Sequence, residues 1–323
     1  MHIVNRAAGA ALAAALCAAG AAQAAGVKVT PLGLVKGEFC KFDRALLFED
    51  PDGTRLLYDP GRTVAGPDDP RLGRVDAILV SHMHADHVGD RHQPAPNAGT
   101  CGKPTLSEFV FPNTNVVNIA LAKQARIVVG SEMPRIFAAK LKALGGDPKL
   151  AQLARFGASR TVGGVKVTTV PAAHSNAVSP GMIGGDLGKL LAAAGLGAYA
   201  GPPTGYVLTF SNGLAVYLSG DTGITAEQDS VVRGHYGAKL AVINIGDVFT
   251  TGPAEAAYVI NDLVKPNAVI ASHANEVATE NGRVVARSKT DRFIKATRVP
   301  VHVPLSERTM TFDANGTCTD GCG

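Results

Sequence analysis

The segment 76–87 reads DAILVSHMHADH, and it decides how the whole chain can be interpreted. Its first half, DAILVS, is an almost continuous apolar run, which is typical of a β-strand covered on both faces. In extended chain, residues two apart point the same way, so His82 and His84 can face one metal ion. Asp86 and His87 follow at once, where the chain can turn and present them to a second ion. Since imidazole and carboxylate groups suit zinc, iron or manganese, the segment predicts a metal site where a strand ends.

Three further candidate ligands stand at equivalent places later in the chain. His174 closes the run VKVTTVPAAH, Asp221 closes AVYLSGD, and His273 closes AVIASH. Each lies at the carboxyl end of an apolar, strand-like run, where a loop begins. Layered α/β folds present functional groups at such positions. The sequence therefore predicts that these three side chains join the first cluster.

Short apolar runs alternate with helix-like segments, which predicts one α/β domain of two packed sheets with helices outside. The turn sequence DPDG at 50–53 joins two of the strands in a hairpin. The predicted strands are 27–32, 45–49, 54–58, 76–81, 165–170, 205–210, 214–219, 240–245, 268–272, 299–303 and 309–312. The predicted helices are 116–124, 132–144 and 253–264.

The composition limits the classes of protein that fit. Of the 323 residues, 46% are hydrophobic and 18% are charged, which excludes a mainly disordered chain. The formal charge is only +4, and Lys and Arg form no consecutive block, so binding to nucleic acid is not expected. We expect the partner to be a small-molecule substrate.

The first 24 residues differ from the rest and are interpreted as a signal peptide. Arg6 gives a short positive start, an Ala- and Leu-rich run follows, and Ala22-Gln23-Ala24 matches a cleavage site. The run is short for a membrane span. We therefore expect a signal peptide at 1–24 and a single domain at 25–323. We also expect export to the periplasm or the medium, with no stable membrane anchor after cleavage.

Export would leave four cysteines in an oxidising compartment, because Cys17 departs with the signal peptide. Up to two disulfides are then expected. The short spacing favours a bond between Cys318 and Cys322, which leaves Cys40 for Cys101. The alternative is four free or metal-binding thiols.

Taken together, the motifs resemble the metallo-β-lactamase superfamily over nearly all of the chain after the signal peptide. The matching pieces are HMHADH at 82–87, His174, SGDTG at 219–223, and SH at 272–273. The resemblance implies an α/β (α+β) fold of four layers, an αββα sandwich, with two divalent metal ions at one edge. Zinc is the expected metal, and manganese and iron(II) are the alternatives.

The resemblance also implies a role for each ligand. The first metal would be held by His82, His84 and His174, the second by Asp86, His87 and His273, and both by a bridging Asp221.

A narrower resemblance concerns the segments 205–223 and 243–257. They are similar to those of hydrolases near ascorbate-phosphate lactonase and the N-acylphosphatidylethanolamine phospholipases. This implies an exported hydrolase in which a hydroxide bridging two metals attacks a lactone or other ester-type bond, and in which Asp86 orients it and carries a proton. A phosphodiesterase of the same fold is the alternative within hydrolysis, and a mononuclear iron dioxygenase is the alternative from another class. The bridging Asp221 speaks against hydrolysis of β-lactam antibiotics.

Several other polar residues have two interpretations each. Asp59 and Asp247 are either partners of a ligand imidazole or ordinary turn and loop residues. His92 and His235 either face the mouth of the site or are solvated in loops, and solvation is favoured. His302, in a terminal strand, is expected to be structural.

Two segments look like additions to the layered plan. Residues 91–115 are rich in Pro, Asn and Gly and predict a long loop. Residues 175–204 are the second such segment and are rich in Gly and Ala. Within it, residues 187–196 form either a lid over a hydrophobic substrate or an ordinary helix packed on a sheet, and the packed helix is favoured. Neither Lys nor Arg clusters beside the motifs in the sequence, so no sequence signal supports recognition of phosphate.

Overall fold

A computed structural model describes His2 and residues 25–322, so most of the predicted signal peptide lies outside the described residues. Its strands are β1 (Val27–Pro31), β2 (Leu46–Glu49), β3 (Arg55–Tyr58), β4 (Ala77–Leu79), β5 (Arg91–His92), β6 (Ser107–Glu108), β7 (Arg126–Val129), β8 (Ala151–Leu153), β9 (Ser159–Val162), β10 (Val165–Pro171), β11 (Ala177–Val178), β12 (Ala198–Tyr199), β13 (Thr204–Thr209), β14 (Ala215–Leu218), β15 (Leu240–Asn244), β16 (Ala268–Ser272), β17 (Thr279–Glu280), β18 (Arg283–Val284), β19 (Val301–His302), β20 (Met310–Phe312) and β21 (Cys318–Asp320).

The α-helices are α1 (Ala85–Val88), α2 (Asn115–Lys123), α3 (Met133–Ala143), α4 (Pro180–Ile183), α5 (Gly185–Ala193), α6 (Pro253–Tyr258) and α7 (Lys289–Ala296). A 3₁₀ helix covers Pro148–Leu150, and two π-helical segments cover Gln228–Arg233 and Val259–Val264. Within the described part of the chain, none of these helices has both the length and the apolar character needed to cross a bilayer.

Two large mixed sheets dominate residues 25–322. The first has eight strands in the order β21-β20-β1-β2-β3-β4-β7-β8, and the second has seven in the order β19-β16-β15-β14-β13-β10-β9. Parallel pairing links β3, β4, β7 and β8 in the first sheet. It also links β14, β15, β16 and β19 in the second. Because β13 runs antiparallel to both β10 and β14, β10 points the same way as β14.

Three apolar cores hold the layers together. Phe48 and Tyr206 belong to the core between the two sheets. Phe137 of α3 helps to cover the outer face of the first sheet, and Phe293 of α7 helps to cover that of the second. Each sheet is thus buried on both faces, which explains why its central strands are almost continuously apolar. The layer order is helix, sheet, sheet, helix, so the predicted αββα sandwich is confirmed.

Most predicted elements are present, with boundaries that differ by one or two residues. The predicted strand 76–81 is limited to Ala77–Leu79, because the chain leaves the sheet to turn toward the loop that carries the histidines. The predicted helix 253–264 begins as α6 and continues as a π-helical segment. The predicted loop at 91–115 is irregular apart from β5, β6 and the first residue of α2.

The helix in the Gly- and Ala-rich stretch does not match the favoured prediction of a packed helix. Helix α5 forms, but Leu187 and Leu190 are 59% and 67% exposed. These leucines therefore do not pack on a sheet, and the favoured interpretation is wrong for them.

Both predicted disulfides are present. One joins Cys40 to Cys101, with Cα atoms 4.8 Å apart, and ties the loop before β2 to the long loop between β5 and β6. The other joins Cys318 to Cys322 at the end of the chain. Free or metal-binding thiols, the alternative interpretation, do not describe this structure.

We expect the two disulfides to differ in their effect on stability. The bond between Cys40 and Cys101 spans 61 residues and the other spans 4. The chain-entropy argument gives losses of about 4 and about 2 kcal/mol when they are removed. Urea unfolding of the Cys40→Ser/Cys101→Ser and Cys318→Ser/Cys322→Ser double variants tests this. Equal losses, or a larger loss for the terminal pair, would contradict it.

Lys140 gives a prediction about pH. It lies buried on α3, and its Nζ donates a hydrogen bond to the carbonyl of Met182 at 2.9 Å. Burial lowers the pKa of Lys140 from 10.5 to about 8. Between pH 8 and 10.5 the unfolded chain binds more protons than the folded one. The free energy of unfolding therefore increases as the pH rises.

The measurement compares unfolding of the wild type and Lys140→Met between pH 8 and 10.5. Over this range, the free energy of unfolding of the wild type should rise relative to that of the variant by up to about 1.4 kcal/mol per pH unit. Lys142→Met, an exposed change on the same helix, is the matched control and should run parallel to the wild type. A constant difference between wild type and Lys140→Met would show that Lys140 titrates normally.

Candidate metal centre

All seven predicted ligand residues meet at one edge of the two sheets, where strands β4, β10, β14 and β16 end. The loop after β4 supplies two histidines, α1 supplies an aspartate and a histidine, and the loops after β10, β14 and β16 supply one residue each. These residues are His82, His84, Asp86, His87, His174, Asp221 and His273.

The first group of ligands contains three imidazoles. One ligand atom each from His82, His84 and His174 lies within 4.8 Å of the others. Their ring centroids are 4.3 to 5.0 Å apart. Nδ1 of His82 contacts Ser81 Oγ at 2.9 Å, whereas its buried Nε2 has no hydrogen-bond partner among the described residues. A buried nitrogen of this kind needs a partner, and a metal ion held by the three rings would supply it.

The second group combines two imidazoles with two carboxylates. Nε2 of His273 is 3.1 Å from Asp221 Oδ2 and 3.6 Å from Asp86 Oδ2. Nε2 of His87 is 3.4 Å and 4.0 Å from the same two oxygens. Ligands about 2.1 Å from a tetrahedral ion are about 3.4 Å from one another. The four atoms therefore fit one divalent ion.

Asp221 belongs to both groups. Its Oδ2 is 3.4 Å from His87 Nε2 and 3.8 Å from His174 Nε2, and the carboxylate is 4% exposed. The preceding Gly220 has φ of 60°, and a Cβ there would lie 2.9 Å from the Cβ of Ser81. Glycine is therefore required at the turn that carries Asp221 into the site. The position of Asp221 is suited to bridging two ions.

Asp59 is a buried hydrogen-bond acceptor next to the ligand cluster, and it orients the ring of His87. One of its oxygens accepts hydrogen bonds from Ser81 Oγ at 2.7 Å and from His87 Nδ1 at 2.8 Å, and the other accepts one from Ser81 N. Only 1% of Asp59 is exposed. With Nδ1 donating to Asp59, His87 presents Nε2 toward the other ligands. Of the two interpretations of Asp59, the structure supports the partner of a ligand imidazole.

The electrostatics of the cluster suit cation binding. Burial lowers the pKa of His82, and burial with the neighbouring histidines lowers that of His84 to about 4, so both rings are neutral ligands. Burial alone would raise the pKa of Asp86 and Asp221, but nearby cationic groups outweigh it and hold both well below the usual range. Burial opposes protonation of His87, yet Asp221, Asp59 and Asp86 raise its pKa to about 10. A metal ion would take the place of that proton.

A cavity of about 680 Å³ opens onto the cluster. Its floor includes five of the seven ligand residues, and its rim combines apolar and cationic side chains. The rim residues include Lys41, Phe42, Val248, Phe249 and Lys289. Val248 and Phe249 are 89% and 71% exposed. The described lining contains nothing from 187–196, so that segment does not cover the cavity here.

Other residues singled out in the sequence lie around or away from the site. Asp247 lines the cavity, and its Oδ1 accepts a hydrogen bond from Val248 N at 2.9 Å, so it caps its own loop. His92 stacks on Phe109 with ring centroids 4.5 Å apart and does not line the cavity. His235 is exposed next to Tyr236, and His302 is buried near Phe312, as expected of a structural residue.

Sequence reasoning missed three cationic side chains at the site. Lys41 and Lys289 line the cavity, and Arg44 lies against Asp86 and His87. Nζ of Lys289 also donates a hydrogen bond to the carbonyl of Ala274, next to a predicted ligand. The sequence contains no local motif for these residues, since they come from the two ends of the chain.

The layered fold and the cluster of histidines and aspartates define the class, which is that of metal-dependent hydrolases with the metallo-β-lactamase fold. A family model described as a beta-lactamase superfamily domain matches residues 54–274. That is more than half of the chain, and the protein therefore belongs to this superfamily.

Relatives of the chain carry names of the same kind. A UPF0173 metal-dependent hydrolase from Polynucleobacter asymbioticus is 29% identical over 315 residues, which cover 94% of this chain and 96% of that protein. A UPF0173 metal-dependent hydrolase from Cupriavidus taiwanensis is 32% identical over 69% of this chain and 68% of its own length. The solved structure of Igni18, a metallo hydrolase from Ignicoccus hospitalis, has a TM-score of 0.57 and 20% identity, and the match covers 88% of this chain and 99% of that one.

Proposed function

We propose that this protein is an exported hydrolase that uses two divalent metal ions, foremost zinc, to cleave a lactone or other ester-type bond in a small molecule. The observation that carries the proposal is the presence of two overlapping ligand groups that share Asp221. The names of the relatives support metal-dependent hydrolysis. Export is proposed from the signal-peptide pattern at 1–24 and agrees with two disulfides in the chain.

The chain's own residues account for most of the mechanism. His82, His84 and His174 would hold one ion, and Asp86, His87 and His273 the other, with Asp221 between them. When bound, the ions lower the pKa of water toward neutrality and polarise a carbonyl oxygen. Asp86 is only half-buried and lines the cavity, so its free oxygen can orient the attacking water.

Asp86 is also suited to proton transfer. It lines the cavity beside the other ligand residues, so its carboxylate can accept a proton from the attacking water. The same side chain can then return that proton to the departing alkoxide. Around it, the apolar rim of Phe42, Val248 and Phe249 can contact the organic part of the substrate and exclude water.

Two alternatives have specific consequences. In a phosphodiesterase, the substrate phosphate would lie near Lys41 and Lys289 of the cavity lining. These two cations support this alternative, although the sequence showed no cluster of Lys or Arg beside the motifs. A mononuclear iron dioxygenase needs only one ion, so the second ligand group and Asp221 would have no role. The complete second group favours hydrolysis.

A small substrate panel tests the proposal. Residues 25–323, loaded with zinc, are assayed with lactones of increasing acyl length, an aryl phosphodiester and a β-lactam. We expect metal-dependent lactone hydrolysis that improves with acyl length, because the rim is apolar. Phosphodiester turnover alone would transfer the assignment to the alternative. Oxygen consumption with one bound iron would support the dioxygenase.

A further inference from the structure

Arg44 is a buried cation beside the candidate metal centre. The residue is 4% exposed. Its Nη1 donates a hydrogen bond to Asp86 Oδ2 and lies 3.2 Å from His87 Nε2. Its Nε donates to the carbonyl of Phe42, whereas Nη2 has no partner among the described residues. A buried arginine whose guanidinium is incompletely paired calls for an explanation.

The two atoms that Nη1 of Arg44 contacts are ligand atoms of the second group. Nδ1 of His87 is engaged by Asp59, so Nε2 is the nitrogen left for a metal ion. Asp86 Oδ2 is the oxygen that lies 3.6 Å from His273 Nε2. A guanidinium is always charged and cannot be deprotonated in a protein. It therefore stands next to the second ion position with a fixed positive charge.

The first group has a different environment. His82 is held by the neutral hydroxyl of Ser81, and His84 Nε2 contacts the neutral hydroxyl of Ser175. The guanidinium contacts described for Arg44 are to Asp86, His87 and a backbone carbonyl, and none is to these rings. The two ion positions thus differ in the charge beside them, although they share Asp221.

We propose that Arg44 weakens binding at the second position, so that the first ion binds tightly and the second remains exchangeable. The guanidinium competes with the second ion for Asp86 Oδ2 and repels it. In the metal-free chain the same guanidinium compensates the charge of Asp86. Arg44 therefore acts through Asp86 as a positioning residue that sets the order in which the two positions fill. This inference rests on the metal centre of the proposed function.

The direction of the effect separates this role from a structural one. If Arg44 only supported the fold, its removal would disorder Asp86 and loosen the second ion. If Arg44 opposes the second ion, its removal tightens binding at that position while the metal-free protein loses stability.

Zinc affinities provide the test. Residues 25–323 are prepared without metal. The stepwise dissociation constants for zinc are then measured by competition with a chromophoric chelator. In Arg44→Met the second dissociation constant should fall at least tenfold, while the first should stay within threefold. Arg44→Gln removes the charge but keeps a hydrogen-bonding side chain, and it should behave in the same way if the methionine variant does not fold. Arg44→Lys retains the charge and should remain near the wild type.

Arg62→Met is the matched control, because Arg62 is a partly buried arginine that pairs with Asp90 outside the ligand groups. It should change neither constant. Thermal unfolding of the metal-free proteins gives a second readout, in which Arg44→Met should have a lower Tm and a larger rise on adding zinc. An unchanged or higher second dissociation constant in folded Arg44→Met and Arg44→Gln would overturn the role of Arg44. A wild type that binds no zinc would instead overturn the metal centre and the proposed function.

Discussion

Replacing Asp221 with alanine is expected to remove nearly all hydrolytic turnover and to reduce the bound metal from two ions per chain to one. Its Oδ2 lies within 3.8 Å of His87, His174 and His273, so both ion positions lose a ligand. Losing one oxyanion-stabilising group alone costs roughly 100- to 1000-fold in rate. Loss of an ion should exceed that range. Turnover of the lactone panel and elemental analysis of the dialysed protein are the measurements.

Two controls make this result specific. Asp221→Asn keeps the shape but removes the charge, and it should retain the fold while binding the second ion weakly. Asp186→Ala removes a fully exposed carboxylate on α5 and should leave both metal content and turnover unchanged. Retention of two ions and full turnover in Asp221→Ala would refute the bridging assignment.

Replacing Asp59 with alanine is expected to have the second largest effect, on both metal affinity and stability. The buried carboxylate accepts hydrogen bonds from Ser81 N, Ser81 Oγ and His87 Nδ1. Without it, three buried donors lose their acceptor, which should cost about 3 kcal/mol or more. Because His87 also loses its orientation, metal affinity should fall by roughly 10- to 100-fold.

Chemical unfolding of the metal-free protein and zinc titration measure the two effects separately. Asp59 has a φ of 39°, a conformation that Asn tolerates, so Asp59→Asn is the matched variant. It should retain more stability than Asp59→Ala while still binding zinc less tightly than the wild type. If zinc affinity is unchanged in both variants, Asp59 is only a turn residue.

The fold and the meeting of the seven candidate ligands at one edge were predictable because their signals are local. DAILVS and the runs before His174, Asp221 and His273 are short and rich in apolar and β-branched residues, which favours buried strands. Each polar residue then follows directly on its strand. Since β10 and β14 point the same way, and β14 and β16 are parallel, their ends had to meet at one edge. The close spacing of Cys318 and Cys322 was likewise a local signal.

The cations around the site were not predictable, because only the tertiary structure brings them there. Arg44 precedes β2, and Lys289 begins α7 near the other end of the chain. Arg44 reaches Asp86 and His87 because β2 and β4 lie in the same sheet. Lys289 reaches the carbonyl of Ala274, beyond β16, because α7 packs on the second sheet. The prediction that the leucines of α5 pack on a sheet was wrong for a different reason. A periodic apolar pattern predicts a helix, but it does not specify whether a second surface lies close enough to bury it.

The most direct test of the account is a zinc titration of the metal-free mature protein with lactone hydrolysis as the readout. We predict little turnover at the first equivalent, which the three histidines His82, His84 and His174 would bind. Turnover should then rise to its maximum as the second position fills. A full rate at one equivalent, or hydrolysis that does not depend on zinc or another divalent metal, would contradict a binuclear hydrolase.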